Sequence, residues 1–123
     1  MGLRILIVDD ALFMRNMLKD IFSKAGYEVV GEASNGVEAV ERFRELQPDL
    51  VTMDIVMPLK SGIEALQEIS RETPEARVVM CSALGQDALV VEAIDAGARD
   101  FIMKPFQEAK VLDVVRRVTG MAA

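Results

Sequence analysis

Residues 4–10 read Arg-Ile-Leu-Ile-Val-Asp-Asp, a short apolar run that ends in two carboxylates. A continuous apolar run of this length, bounded by polar residues, is typical of a strand buried on both faces of a sheet. Four similar runs follow at fairly even spacing, and we interpret all five as strands. The predicted strands are Arg4–Val8, Glu28–Ala33, Leu50–Met53, Arg77–Cys81 and Asp100–Met103.

The segments between the strands carry apolar residues at helical spacing, as Leu18 and Ile21 illustrate in the first of them. Gly26 and Gly97 stand where helices should end. Alternating strands and helices indicate a parallel sheet, and right-handed crossovers place helices on both of its faces. The sequence therefore predicts an α/β three-layer sandwich that forms one domain over residues 1–123.

Composition and charge narrow the class of protein. The chain has 123 residues, 51% of them hydrophobic, which is enough to bury a core without disulfides or structural metals. Its formal net charge of -6 would repel a polyanion, so no nucleic-acid partner is expected. No segment resembles a secretory signal or reaches membrane-spanning length. We expect a cytoplasmic monomer with no membrane partner.

The sulfur-containing side chains are predicted to pack in the core. Cys81 lies inside an apolar run and is expected to be a small buried hydrophobe. Flexible thioethers fill gaps in cores, and five methionines lie in apolar runs or on the inward side of a helix. They are Met14, Met17, Met53, Met80 and Met103.

Polar side chains follow four of the five predicted strands. Asp9 and Asp10 follow the first strand, Asp54 the third, Ser82 the fourth and Lys104 the fifth. The carboxyl ends of parallel strands lie at one edge of the sheet, where ligands bind in α/β proteins. We therefore expect these five side chains to meet at a single site.

Three clustered carboxylates repel one another unless a cation lies among them or some of them stay protonated. Mg²⁺ is the expected cofactor, since it prefers oxygen ligands and commonly binds one or two carboxylates together with phosphate oxygens. The chain has no histidine and its one cysteine is predicted to be buried, which disfavours zinc or copper.

Lys104 and Ser82 would complete a pocket for a phosphoryl group, with Asp54 as a nucleophile that forms an aspartyl phosphate. Each residue also has a plainer interpretation. Asp10 or Ser82 would suit a helix cap, Asp54 a turn, and Lys104 followed by proline the end of a strand. Their joint occurrence after several strands of one sheet favours the functional interpretation.

Motifs throughout the chain resemble the receiver domain of bacterial two-component response regulators. The resemblance implies a flavodoxin-like sheet of order 2-1-3-4-5 and a cis peptide bond before Pro105. The motifs are Ile7–Asp10, Met53–Pro58 with Gly62, Val79–Ala83, and Ala96–Ala98 leading to Phe101 and Lys104–Phe106.

The resemblance also implies roles for particular residues. Asp54 would be phosphorylated by a histidine kinase, and Mg²⁺ would be held by Asp10, Asp54 and the backbone carbonyl of Val56, with Asp9 assisting. Ser82 and Lys104 would contact the phosphoryl group. Such a protein is a signalling phosphoacceptor that catalyses only its own phosphorylation and dephosphorylation.

Among receivers, the short length and the stretches Phe13–Arg15 and Cys81–Gln86 are most similar to stand-alone chemotaxis receivers of the CheY type. The implied partners are a chemotaxis kinase, the flagellar motor switch protein and a phosphatase. Ser82 and Phe101 would act as a switch that remodels the face formed by the fourth helix, fifth strand and fifth helix. The fourth helix is apolar nearly all round, which predicts either an exposed partner surface or a well-buried helix.

Four positions depart from the family's usual pattern. Ser82 replaces the commoner threonine, a small change that keeps the hydroxyl donor. Phe101 stands where many chemotaxis receivers have tyrosine, so its ring cannot form a hydroxyl hydrogen bond. Val56 and Leu84 are apolar where polar side chains of some relatives would help a water to approach. We therefore predict slow self-dephosphorylation.

Other classes of protein fit less well. A haloacid dehalogenase-like phosphatase needs an Asp-x-Asp motif after its first strand, and here Asp9-Asp10-Ala11-Leu12 stands there. A flavodoxin-like electron carrier would need a phosphate-binding loop in place of these carboxylates. A receiver of a phosphorelay, or one cut from a longer DNA-binding regulator, remains an alternative.

Overall fold

Five strands and five helices alternate along the chain in a computed structural model that describes residues 2–120. The strands are β1 (Arg4–Val8), β2 (Glu28–Ala33), β3 (Leu50–Asp54), β4 (Val78–Ser82) and β5 (Asp100–Met103). The helices are α1 (Leu12–Lys24), α2 (Gly36–Leu46), α3 (Gly62–Glu72), α4 (Asp87–Asp95) and α5 (Glu108–Thr119).

All neighbouring strands are parallel, in the order β2-β1-β3-β4-β5, as the family resemblance implied. The predicted third strand ended one residue too early, and the predicted fourth strand began and ended one residue too early. The third extends to Asp54 and the fourth covers Val78–Ser82, because Asp54 pairs with Cys81 and Ser82 with Met103. Asp54 and Ser82 are thus held by the sheet itself.

Each face of the sheet has its own apolar core, and helices cover both faces as predicted. On one face, Met53 and Met80 pack with buried side chains of α2 and α3. On the other, Ile7 and Ile102 pack with buried side chains of α1 and α5. Among residues 2–120, no helix has the length and apolar character needed to cross a membrane.

Local signals fix the start of α3 beside the predicted site. Ser61 Oγ accepts a hydrogen bond from Glu64 N at 3.1 Å, and Glu64 Oε1 accepts one from Ser61 N at 2.9 Å. This reciprocal capping box satisfies two amide groups that a helix N-terminus leaves unpaired. The cap therefore sets where the loop after β3 turns into the helix.

One of the five methionines was wrongly assigned to the core. Met53 and Met80 are fully buried, and Met14 and Met17 pack against the core from α1, but Met103 is 44% exposed. Met103 lies on the edge strand β5, and side chains alternate between the two faces of a strand. Ile102 faces the core beneath α5, so Met103 points to the opposite, less covered face.

Helix α4 leaves much of its apolar surface exposed. Ala93 is its one fully buried residue, whereas Val91 is 62% and Ile94 45% exposed. Of the two interpretations that the sequence allowed, the structure favours an exposed apolar surface on α4.

Thr52 offers a test of how the central strand is packed. It is fully buried on β3 between Ile7 and Val79, and its hydroxyl has no hydrogen-bond partner within residues 2–120. We expect Thr52→Val to raise the free energy of unfolding by about 1 kcal/mol, because it removes an unpaired buried hydroxyl at nearly constant volume. Urea denaturation measures the change. Thr52→Ser, which keeps the hydroxyl and loses a methyl group, should be destabilising, and a Thr52→Val protein less stable than wild type would contradict this account.

Candidate phosphoacceptor and metal site

Three carboxylates converge at the carboxyl edge of the sheet. Asp9, Asp10 and Asp54 each offer an oxygen, and these oxygens all lie within 4.8 Å of one another. Asp9 and Asp54 are buried, whereas Asp10 is exposed. The cause is topological, because β1 and β3 are neighbours in the sheet although they are far apart in the sequence.

Lys104 reaches this cluster from the end of β5. Its Nζ lies 2.8 Å from Asp9 Oδ2 and 3.5 Å from Asp54 Oδ1. Burial by itself lowers the pKa of Lys104, but the neighbouring Asp9 and Asp54 carboxylates outweigh this effect and raise the pKa above its usual value. The ammonium group therefore keeps its charge at neutral pH.

Asp54 lies in an environment that disfavours its charge. Burial and repulsion from Asp9 raise the pKa of Asp54 to about 6, although Lys104 opposes the shift. One ammonium group faces three carboxylates, so the cluster has an excess of negative charge that a divalent cation would neutralise. The donor set is all oxygen, and exposed Asp10 leaves it open to solvent. These features fit Mg²⁺.

The loop after β1 is held in place by its own hydrogen bonds. Asp9 Oδ1 accepts a bond from Ala11 N at 2.9 Å, and Arg15 Nη1 donates to the Asp9 carbonyl oxygen at 2.8 Å. Arg15 also donates from Nε to Glu32 Oε1 at 3.0 Å. The alternative interpretation of Asp10 as a helix cap is wrong, because Ala11 occupies the N-cap position of α1 and no side chain caps it. Sequence reasoning missed Arg15, whose role depends on a contact with a backbone atom.

The loop after β3 folds back tightly onto Asp54. Gly62 N donates to the Ile55 carbonyl oxygen at 2.8 Å, and a Cβ atom at position 62 would lie 2.0 Å from the Asp54 carbonyl oxygen. Val56 lies in this loop and is 55% exposed. The role of the Val56 carbonyl as a metal ligand stays a prediction.

Ser82 and Phe101 lie where β4 and β5 reach the site. Ser82 is fully buried, and its hydroxyl donates to Met103 Sδ at 3.3 Å. It does not cap a helix, since the N-cap of α4 is Gln86. Phe101 is 37% exposed on β5, in an outward position. The predicted cis bond is present between Lys104 and Pro105.

Comparison with known proteins agrees with this geometry. The model of the response regulator receiver domain matches residues 5–116, and the chain belongs to that family. Chemotaxis protein CheY of Thermotoga maritima is 60% identical over 119 residues, which cover 97% of this chain and 99% of that protein. CheY of Bacillus subtilis is 58% identical over 95% of this chain and 98% of its own length. Within the family, the chain is a response regulator of the chemotaxis type.

Solved structures share the fold. The response regulator domain of Thermotoga maritima CheB superposes with a TM-score of 0.89 at 41% identity, and each chain is covered completely. CheY of Borrelia burgdorferi, solved in a CheX-CheY-BeF3-Mg²⁺ complex, gives a TM-score of 0.90 at 41% identity over 94% of this chain and 88% of that one.

Proposed function

We propose that the chain, acting as one receiver domain, accepts a phosphoryl group on Asp54 from the phosphohistidine of a chemotaxis kinase. The observation that carries this proposal is the Asp54 carboxylate, buried among Asp9, Asp10 and the Lys104 ammonium group at the open edge of the sheet. A carboxylate oxygen of Asp54 forms the new bond to phosphorus as the bond from phosphorus to the donor nitrogen breaks.

The surrounding side chains have separate tasks in this proposal. Asp10, Asp54 and the Val56 carbonyl would hold Mg²⁺ with the help of Asp9, and the bound ion would neutralise charge on the phosphoryl oxygens. Lys104 presents its ammonium group to one phosphoryl oxygen, and Ser82 donates its hydroxyl to another. The Borrelia burgdorferi relative, solved in a complex that contains BeF3 and Mg²⁺, supports Mg²⁺ as the metal.

The signal would leave through the face formed by α4, β5 and α5. Phosphorylation adds charge and hydrogen-bond acceptors at Asp54, which draws Ser82 and the loop 83–86 inward. Phe101 can then turn from its present outward position into the space that is vacated. Val91 and Ile94 are exposed on α4 and would contact the flagellar motor switch protein.

Chemical phosphorylation tests the first step. We expect acetyl phosphate to add one phosphoryl group in the presence of Mg²⁺ and none with EDTA, as measured by intact mass. Asp54→Asn should remove the uptake, whereas Asp95→Asn, an exposed position at the end of α4, should behave as wild type. Equal uptake by Asp54→Asn, or uptake that does not depend on the metal, would refute the proposal.

Binding of a motor-switch peptide tests the chemotaxis output. A pull-down should retain the phosphorylated protein and lose it in the Phe101→Ala variant. A protein of a phosphorelay would instead pass its phosphoryl group to a histidine phosphotransfer protein and ignore the peptide. The curated relatives named as chemotaxis proteins favour the first outcome.

The lifetime of the phosphorylated form gives a further prediction. Val56 and Leu84 are 55% and 92% exposed and offer no polar group to an attacking water. We expect Val56→Asn to speed the decay of phosphorylated protein severalfold, because its amide can orient that water. The decay is followed by mass after the donor is removed. Val56→Ala is the control and should decay at the wild-type rate, and an Asn variant no faster than wild type would contradict the prediction.

A further inference from the structure

Met103 contacts the hydroxyl group on which the proposed switch depends. We propose that Met103 is a positioning residue that holds the Ser82 hydroxyl in the resting state and thereby sets how readily the chain accepts a phosphoryl group. The inference rests on the proposed function, because it requires Ser82 to donate to the phosphoryl group once that group is present.

The sheet places the two residues side by side. Ser82 and Met103 are paired in register where β4 and β5 end. The Ser82 hydroxyl donates to Met103 Sδ at 3.3 Å, and it forms no other hydrogen bond within residues 2–120. The Ser82 carbonyl oxygen accepts a bond of 2.7 Å from Lys104 N. The backbone of Ser82 is thus fixed, while its hydroxyl can still rotate to a different hydrogen-bond acceptor.

The chemistry of the acceptor makes this contact easy to exchange. A thioether sulfur is a weak acceptor, whereas a phosphoryl oxygen carries charge and forms a stronger hydrogen bond. Ser82 is fully buried, so water cannot readily take the place of the thioether when the phosphoryl group is absent. The hydroxyl therefore keeps a hydrogen bond at rest. It can exchange the sulfur for a phosphoryl oxygen at a small cost in free energy. An apolar residue at position 103 would leave it unpaired at rest and would favour the phosphorylated form.

The same contact links the site to the output face. Met103 and Phe101 alternate with buried Ile102, so they share the exposed face of β5. Loss of the hydrogen bond frees the Met103 side chain on this face at the moment when Phe101 is expected to turn inward. The mobility of the Met103 side chain on the exposed face of β5 would thus depend on whether the Ser82 hydroxyl is bonded to Met103 or to the phosphoryl group.

A double-mutant cycle tests the proposal with beryllofluoride, a phosphoryl mimic, in the presence of Mg²⁺. Backbone amide shifts of residues 83–86 report the binding. We expect Met103→Leu to bind the mimic roughly two- to fivefold more tightly than wild type, the effect of removing one weak hydrogen bond from the resting state. In a Ser82→Ala background the same change should have no effect. Met17→Leu, a partly buried methionine on α1, is the matched control and should leave binding unchanged.

The outcomes separate this proposal from the proposed function. Wild type that binds no beryllofluoride would contradict the proposed function itself. Normal binding with an equal effect of Met103→Leu in both backgrounds would overturn only the role of Met103. The Met103 methyl resonance gives a direct check at rest, since Ser82→Ala should shift it and leave the Met17 methyl in place. An unshifted Met103 resonance would also overturn the proposal.

Discussion

Gly62→Ala is expected to lower the free energy of unfolding by about 3 kcal/mol and to weaken Mg²⁺ binding at the same time. The added Cβ atom would lie 2.0 Å from the Asp54 carbonyl oxygen and 3.0 Å from Ile55 Cα. Both neighbours belong to the backbone, so no side chain can move aside to make room. Overpacking of this kind costs about 1–3 kcal/mol, and the loss of the hydrogen bond from Gly62 N to Ile55 O costs about 1 kcal/mol more.

Urea denaturation and a Mg²⁺ titration measure the two effects. Gly26→Ala is the control, because Gly26 has a φ of +85° but an added Cβ would meet no atom within 4 Å. Its cost should be only the 1–2 kcal/mol of a left-handed backbone conformation, with no change in metal binding. A Gly62→Ala protein that unfolds and binds Mg²⁺ as wild type does would show that the loop after β3 does not depend on this contact.

The metal-free protein is expected to lose about 3 kcal/mol of stability through Asp54 as the pH rises from about 3 to above 7. Burial and repulsion from Asp9 raise the pKa of Asp54 from 3.8 to about 6 in the folded protein. A carboxyl group with a raised pKa binds its proton more tightly when folded, so its stabilising contribution is present at low pH and is lost as the pH passes the folded value. Each unit of pKa difference corresponds to about 1.4 kcal/mol.

Unfolding in EDTA at pH 5 and pH 8 tests this prediction, and about 1.4 kcal/mol of the loss should fall within this pH range. Asp54→Asn should remove this part of the pH dependence and should be more stable than wild type at pH 8, since the amide needs no counter-charge. Asp95→Asn should follow wild type. Added Mg²⁺ should stabilise wild type at pH 8 far more than Asp54→Asn. A metal-free Asp54→Asn protein less stable than wild type at pH 8 would contradict the account of the cluster.

The residues that end the strands made the position of the site predictable from sequence. Buried parallel strands form nearly continuous apolar runs, so Asp9 and Asp54 stand out as the first charged residues at the ends of two such runs. That these two meet depends on β1 and β3 being neighbours. This order came from the family resemblance and not from the pattern of apolar residues. The ends of β3 and β4 differed by one residue because pairing between strands, which sequence does not show, extends them.

The contacts of single side chains were beyond the reach of sequence. Met103 lies in an apolar run and was therefore assigned to the core. The fold leaves its face of β5 partly uncovered. The Ser82 hydroxyl points to the Met103 sulfur, and the position of that sulfur follows from the fold. Arg15 lies in α1, but it is not one of the apolar residues that gave this helix its periodic pattern. Only the structure shows that Arg15 donates to the Asp9 carbonyl oxygen.

The position of the phosphoryl group is the most direct test of the account. The protein is incubated with acetyl phosphate and Mg²⁺, the acyl phosphate is reduced with borohydride, and the modified residue is located by peptide mass spectrometry. We predict a single reduced residue at position 54, with Asp9 and Asp10 unmodified. Modification at another acidic residue, with Asp54 intact, would contradict the central claim.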